Sequence, residues 1–506
     1  MNKLVKAVFT LTAFSVADRV LGFIFKIYLS REMGAAALGV YQIALSLFFV
    51  LATLTTSGLP LITGKKTAGY LAKGMKRESY SLVGAALVVN LVITAVICAA
   101  VIAARPVIPF LLGSDEAATL VPLFLPALAF GAVAAAFRGN IWGREKFFAV
   151  SAIELAEQLA RIALCVTMFA LGFGKIHAAV VSLVIATGIS ATITVLVFFG
   201  SGGHVASPRS QLRPLITESA PVSALRASSS LTGLLMAIVV PFLFMSSGYG
   251  EQDALALFGA GIGMAMPLLF LPITVIGSLS YALIPALSKA AAEGKTDEVK
   301  NRVETSLKFS VIVAALFLPM FYGIGEPGGT YLYGDAVAGY AIKIGTFLII
   351  PIALGHITSS MMNALGQEKR RFVHYVIGTA VSIGVMFCFY GNFSINAVCT
   401  GMFVGLTLSA VLDVLRMRKT HGISLSFTFT LLGACLLAVP CAVLTDWTYS
   451  AIRFTPELLR IAGAAVIGTA AMALLLWAFG FYNGFLLRSG RKKERARGGK
   501  HLPKGI

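Results

Sequence analysis

The chain has 506 residues, 58% of them hydrophobic and only 12% charged, and apolar stretches of about 20 or more residues recur from end to end. This composition excludes a soluble globular domain and specifies an all-α polytopic membrane protein. The net charge of +19, from 41 Lys and Arg against 22 Asp and Glu, suggests nucleic acid in a soluble chain, but its confinement to alternate loops excludes that partner.

The apolar windows predict about fourteen spans, at roughly 5–30, 38–63, 81–104, 119–138, 150–173, 176–200, 219–246, 254–285, 307–326, 336–362, 374–391, 395–416, 424–446 and 459–487. Numbered alternately, one set of loops holds about 31 of the Lys and Arg residues. These are Lys3 and Lys6; Lys65, Lys66, Lys73, Lys76 and Arg77; Arg138, Arg144 and Lys146; Arg209 and Arg213; Lys289 to Lys308; Lys369 to Arg371; Arg416 to Lys419; and the tail from Arg488. The other set holds about four, namely Arg31, Arg105, Lys175 and Arg453. The positive-inside rule then puts both termini in the cytoplasm, and the basic tail 488–506 reads as an orientation signal and a lipid-attracted end.

In chain order, the first span holds "FSVADRVLGFIFK", with Asp18 and Arg19 about fourteen residues in, or roughly 20 Å at 1.5 Å per residue. Arg19 and Lys26, at i and i+7, share a face, and Lys26 is near enough to the far end to snorkel. A signal peptide ending at "SVA" is the competing reading, but the apolar run resumes after Arg19, so we read one spanning helix interrupted by charge. The fifth span, "AIELAEQLARIAL", carries Glu154, Glu157, Gln158 and Arg161 on one stripe, with Glu157 and Arg161 as an i, i+4 pair. That stripe is either a polar face needing water or partners, or an interfacial one. The seventh span, "APVSALRASSSL", places Arg226 among Ser223, Ser228, Ser229 and Ser230. Lys343 and His356 in the tenth span and Asp413 in the twelfth fit snorkelling or packing as well as function. The six cysteines fall in apolar segments without metal-ligand spacing and read as packing residues.

Self-comparison finds an internal repeat. "LPLITGKKTAGYLAKG" from Leu59 matches "IPALSKAAAEGK" from Ile284, and "NIWGREKFF" from Asn140 matches "NALGQEKRRF" from Asn363, at offsets of about 225 and 223 residues. Each unit therefore spans six helices in one orientation: 1–213 and 214–422 as two six-helix lobes (a parallel repeat), then two extra spans over 423–487. Two facing bundles imply a cavity and alternating access by rocking. No GxxxxGK[ST] loop, Gly-x-Ser-x-Gly elbow, His-Glu-x-x-His or CxxC occurs, and no sizeable soluble domain is present, so the reading is not an enzyme and calls for no cofactor.

The segments "DRVLGFIFKIYLSREMGAAALGVYQIAL", "SGLPLITGKKTA", "FRGNIWGREKFFAVSAIELAEQLARI", "APVSALRASSSL" and "FGAGIGMAMPLLFLPITVIGSLSYALIPALSKA" resemble the stage V sporulation protein B group of bacterial polysaccharide flippases, in the MOP (MATE/MurJ-type) exporter superfamily. The resemblance runs in order from about residue 1 to 487. It implies a V-shaped fourteen-helix fold in the bacterial cytoplasmic membrane and flipping of an undecaprenyl-linked saccharide, in peptidoglycan or other cell-wall polysaccharide synthesis during sporulation or growth. In lipid II flippases of the MurJ type, cavity arginines of helices 1, 2 and 8 are thought to engage the pyrophosphate. Only Arg19 matches that pattern cleanly: the next position falls at Phe25 beside Lys26, the helix 2 position falls near Thr53, and the eighth span has no basic residue. Arg226 resembles the helix 7 arginine of the sporulation group.

The expectation is therefore a cationic cavity in which Arg19, oriented by Asp18, receives a lipid-linked pyrophosphate headgroup through planar bidentate hydrogen bonds. Arg226 is the second anion contact, and Lys26, Glu154, Glu157, Gln158 and Arg161 line the same cavity. The alternative for Arg19 is a structural pairing with Asp18 or a glutamate of the fifth span. The partners are the lipid-linked saccharide, membrane lipids and cell-wall synthesis enzymes, with the membrane potential or a Na⁺ or H⁺ gradient as the drive. Two rivals are a cation-coupled multidrug exporter of the MATE type using Glu154 and Glu157, and a non-transporting scaffold for wall synthesis.

Overall fold

The computed structural model describes residues 3–56, 58–424, 427–452 and 456–481. The side chains of Lys3, Lys6 and Pro285, together with Arg453 and the basic tail from Arg488, lie outside the described residues. Every element among the described residues is helical, as lipid demands, because a spanning backbone must satisfy its own N–H and C=O groups. The first ten are α1 (Lys3–Thr56), α2 (Leu59–Ala72), α3 (Lys76–Ala103), α4 (Ile108–Leu112), α5 (Asp115–Leu120), α6 (Leu125–Gly143), α7 (Phe147–Ala170), α8 (Lys175–Gly200), α9 (Leu212–Ser246) and α10 (Glu251–Phe258). A π-helical stretch, Gly259–Ala265, follows. Then come α11 (Met266–Leu269), α12 (Leu271–Ala292), α13 (Thr296–Tyr333), α14 (Ala336–Gly345), α15 (Ile349–Ala364), α16 (Glu368–Phe387), α17 (Ile395–His421), α18 (Phe427–Ala451) and α19 (Glu457–Ala478). Eleven helical runs among the described residues are long and apolar enough to cross a membrane.

Several predicted boundaries are corrected. The predicted loop at 31–37 is helical apart from a kink at Gly34, and the basic segments counted as loops are largely helix: Lys65 and Lys66 lie on α2, Arg213 on α9, and Arg302 and Lys308 on α13. A hydropathy window sees only the stretch matched to lipid, whereas helical hydrogen bonding continues into the polar ends. The predicted loop from Lys289 to Lys308 shrinks to 293–295, where the Lys295 ammonium lies 2.5 Å from Glu293 and holds that carboxyl below its usual range. Three cysteines, Cys165, Cys399 and Cys441, are buried as expected of packing residues, but Cys388, in the turn after α16, and Cys435, on α18, are exposed.

Contacts divide the chain into two compact units, Met1–Met264 with Tyr390–Asn392, and Ala265–Phe389 with Phe393–Ile506. In the first, α2 and α3 pack on α6, α6 on α8, α7 on α8, and α1 against α7, α9 and α10. In the second, α12 and α13 pack on α15, α15 on α17, and α16 on α17, while α18 and α19 pack on α13 and on each other. The same pairing scheme therefore recurs about 223 residues apart, the offset of the Asn-x-x-Gly-x-Glu-Lys match. The packing boundary differs from the repeat boundary at 213 because α9 and α10 lie along α1.

That last contact depends on glycine. A Cβ on Gly39 would overlap the carbonyl oxygen of Leu255, and one on Gly259 would overlap that of Ala35, so the second arm of α1 and the end of α10 touch backbone to backbone. Gly259→Ala is expected to destabilise the protein by about 1–3 kcal/mol, the usual scale of overpacking. Gly69→Ala, where nothing lies within 4 Å, serves as the control and should be neutral or slightly stabilising. Thermal unfolding in detergent compares the two, and equal midpoints would contradict a seam that tight.

Candidate functional site

The charged residues of the first arm of α1 meet the polar stripe of α7. Asp18, Gly22, Phe25 and Lys26 recur at helical spacing along one face of α1, and the missing side chain at Gly22 leaves room for Gln158, whose Nε2 would lie 3.6 Å from a Cβ there. Asp18 stands within electrostatic reach of Glu157, Arg161 and Arg19. Arg161 bridges both arms of α1: its Nη2 donates to the Tyr41 hydroxyl at 2.8 Å and its guanidinium lies 5.3 Å from the Phe25 ring centroid. Lys26 Nζ donates to Gln42 Oε1 at 3.5 Å, so this ammonium turns to the second arm of α1. Aromatic pairs flank the strip, Phe14 with Phe148 and Tyr28 with Phe169, at centroid distances of 5.4 and 5.8 Å.

Three readings for these residues need correcting. Glu157 and Arg161 do not form the i, i+4 pair: Glu157 turns to Arg138 on α6, with Oε2 3.8 Å from Nη2, and accepts the Thr187 hydroxyl at 3.2 Å. Arg138, counted as a loop charge, lies inside α6 and also bonds Glu154 Oε1 at 3.2 Å and Ser190 Oγ at 3.4 Å. Periodicity along one helix places side chains on a face but leaves open which neighbouring helix supplies the partner. Arg19, for its part, is exposed and enters no ion pair among the described residues. The pairing of Arg19 with a glutamate of this stripe is therefore not formed; Arg138 has taken both glutamates.

Arg226 is exposed on α9 and bracketed by two hydrogen bonds to the neighbouring helices. The Gly58 N–H donates to Ser223 Oγ at 3.2 Å, and the hydroxyls of Ser230 and Thr53 lie 2.9 Å apart. The turn that carries Arg226 thus sits beside Thr53. Further along, Lys66 and Glu218 tie α2 to α9 at 2.6 Å.

The second unit holds a separate ionic cluster that the sequence ranked low. Asp413 on α17 is fully buried, with Oδ2 3.1 Å from Arg371 Nη1 and accepting the Thr358 hydroxyl at 2.8 Å, and with Oδ1 2.8 Å from His374 Nδ1. Lys343 on α14 pairs with Glu326 on α13 at 3.0 Å. No group of His, Cys, Asp and Glu suited to a metal ion occurs among the described residues.

A charge in the hydrocarbon core costs at least about 2.5–3.5 kcal/mol unless it is paired or hydrated. Around α1, α6 and α7 three carboxylates (Asp18, Glu154, Glu157) face four cations (Arg19, Lys26, Arg138, Arg161), leaving an excess of positive charge. The Nε–H groups of Arg138 and Arg161 are buried without a hydrogen-bond partner. A partly exposed, net cationic, donor-rich strip suits an anion with several oxygens.

The protein-family model described as "Polysaccharide biosynthesis protein" matches residues 4–291. Stage V sporulation protein B of Bacillus subtilis (strain 168) is 23% identical over 94% of this chain and 95% of that protein. Among solved structures, the lipid II flippase MurJ in an inward closed conformation superposes with a TM-score of 0.71 at 14% identity, covering 93% of this chain and 98% of that one. An inward-facing multidrug resistance MATE family transporter of the MOP superfamily gives 0.68 at 16% identity, covering 80% and 94%.

Proposed function

Since the chain belongs to the polysaccharide biosynthesis protein family, and is a multi-pass membrane protein with the fold of the MATE and MurJ transporters, we propose that it flips an undecaprenyl-pyrophosphate-linked saccharide across the bacterial cytoplasmic membrane. The observation that carries this reading is Arg19: a charge midway along a membrane helix, exposed and outside every ion pair among the described residues. The pyrophosphate docks on Arg19 with Arg226 as the second contact, Asp18 orienting Arg19 and the remaining polar residues of α7 hydrating the path. The polyprenyl tail stays in lipid, against α18 and α19. Alternating access of the two six-helix lobes carries the headgroup, and membrane potential or a Na⁺ or H⁺ gradient resets them. Counting both arms of α1 and the more polar helices α7 and α16 supports fourteen spans with both termini cytoplasmic. Cell-wall synthesis enzymes supply and consume the substrate; no chemistry on this chain is required.

The cation-coupled multidrug exporter needs Glu154 and Glu157 available to a cation, and their engagement by Arg138 counts against it. The test is flipping of a fluorescent undecaprenyl-pyrophosphoryl saccharide in proteoliposomes, with a lipophilic cation assayed in parallel. Flipping of the saccharide alone supports the proposal. Cation transport alone favours the drug exporter, and neither activity favours the wall-synthesis scaffold.

A further inference from the structure

Arg138 is the residue whose role the sequence misses most completely. It lies on α6 within two turns of the 144–146 turn, yet its guanidinium is directed across to α7 and α8. The groups around it are those from which a site for a monovalent cation or an organic ammonium is built: the carboxylates of Glu154 and Glu157, the Thr187 hydroxyl that bonds Glu157, the Ser190 hydroxyl, and Asp18 within electrostatic reach of Glu154. Hard oxygen donors and net negative charge attract such a ligand. In this chain the guanidinium occupies their midst, 3.2 Å from Glu154 and 3.8 Å from Glu157, with its side chain 22% exposed against 44% and 31% for the two carboxylates. The cation is therefore covalently supplied and sits deeper than its partners.

We propose that Arg138 is a specificity-determining residue: the protein's own resident cation, which closes the carboxylate pair of α7 to external cations and so leaves Arg19, Lys26 and Arg161 to set an anionic preference. Only the identity of the preferred anion rests on the flippase reading; the exclusion of cations stands apart from it. Two consequences follow. Neutralising Arg138 converts the cluster into a cation site, whereas neutralising its carboxylate partners releases a guanidinium to anions. A merely structural Arg138 predicts neither gain, only loss.

The test uses the full-length protein in nanodiscs, with free guanidinium ion as the cationic probe and inorganic pyrophosphate as the anionic one. Wild type is expected to show only weak guanidinium binding. Arg138→Gln should bind it about tenfold or more tightly than wild type does, the scale of one charge-assisted contact. The gain should vanish in the triple variant Arg138→Gln/Glu154→Gln/Glu157→Gln, and Arg138→Lys, which keeps the charge, should behave as wild type. Wild-type binding as tight as that of Arg138→Gln, or a folded Arg138→Gln that gains nothing, would overturn the proposal. Should Arg138→Gln fail to fold, Glu154→Gln/Glu157→Gln decides: pyrophosphate affinity should rise about tenfold, and an unchanged or weaker affinity overturns the idea. Failure of the flippase reading would appear separately, as wild-type protein that does not flip the saccharide while the cation-binding gain persists.

Discussion

Arg19→Ala is expected to cut flipping of the lipid-linked saccharide about 10- to 100-fold while the protein still inserts and folds, because it removes one charge-assisted contact worth roughly 1.5–3 kcal/mol. The folded state should tolerate the change, since Arg19 is exposed and no ion pair among the described residues depends on it. Arg19→Lys should recover part of the activity, because an ammonium keeps the charge but lacks the planar fork that grips two phosphate oxygens at once. Arg226→Ala should impair transport as well, its turn being held beside Thr53 through Ser230. Initial rates in proteoliposomes measure all three, with size-exclusion profiles as the folding control. Normal flipping in both alanine variants, beside an active wild type, would refute the anion-contact reading.

Asp413→Ala should lower stability by about 3–5 kcal/mol, the scale for deleting one partner of a buried ion pair. The carboxylate is fully buried and holds three partners from two neighbouring helices, Thr358 on α15 and Arg371 and His374 on α16. Removing it strands the Arg371 guanidinium, whose side chain is only 15% exposed and whose remaining contacts, the Ser409 hydroxyl at 2.7 Å, the Gly355 carbonyl at 3.5 Å and the Tyr375 ring at 5.7 Å, cannot neutralise it. Asp413→Asn, which keeps hydrogen-bonding capacity, should lose less, and Asp413→Leu with Arg371→Met should recover much of the loss by removing both charges together. Thermal unfolding of the detergent-solubilised protein measures the series. An alanine variant as stable as wild type would show that the cluster is not a clamp.

The cluster at Asp413 and that at Arg138 also show how much of the site was legible beforehand. Ser190 and Asp413 are separated by 223 residues, the same offset as the Asn-x-x-Gly-x-Glu-Lys match, and lie on the equivalent helices α8 and α17. Each unit places a guanidinium in the same three-helix group, yet one draws it from α6 and the other from α16. A repeat in sequence therefore announced the helices but not their charges, because each pairing closes between side chains on different helices. The stripe on α7 was readable because spacing of three and four residues places side chains on one face. That Glu157 leans to Arg138 rather than to Arg161 was not, since both lie within reach and only the packing of α6 against α7 and α8 chooses between them.

The shared motif itself carries the same lesson. In the first copy Gly143 is required by close packing, a Cβ there meeting Thr67 and the Gly64 carbonyl, whereas in the second Gly366 takes a left-handed conformation with φ of 68° and a Cβ would meet nothing. One conserved spacing thus serves two physical needs.

What the amino-acid sequence determined by itself was the solvent and the secondary structure. Long apolar runs can satisfy their backbone in lipid only as helices, and each intramembrane charge costs enough to mark its position as one that needs a partner or water. Only the tertiary structure decided which charges are spent on each other and which remain for a ligand. Arg138 with Glu154 and Glu157, and Arg371 with Asp413, are closed pairs, whereas Arg19 stays outside every ion pair among the described residues. The reason is range: pairing is settled over about 3–4 Å, and distances that short between helices far apart in the chain are set by packing alone.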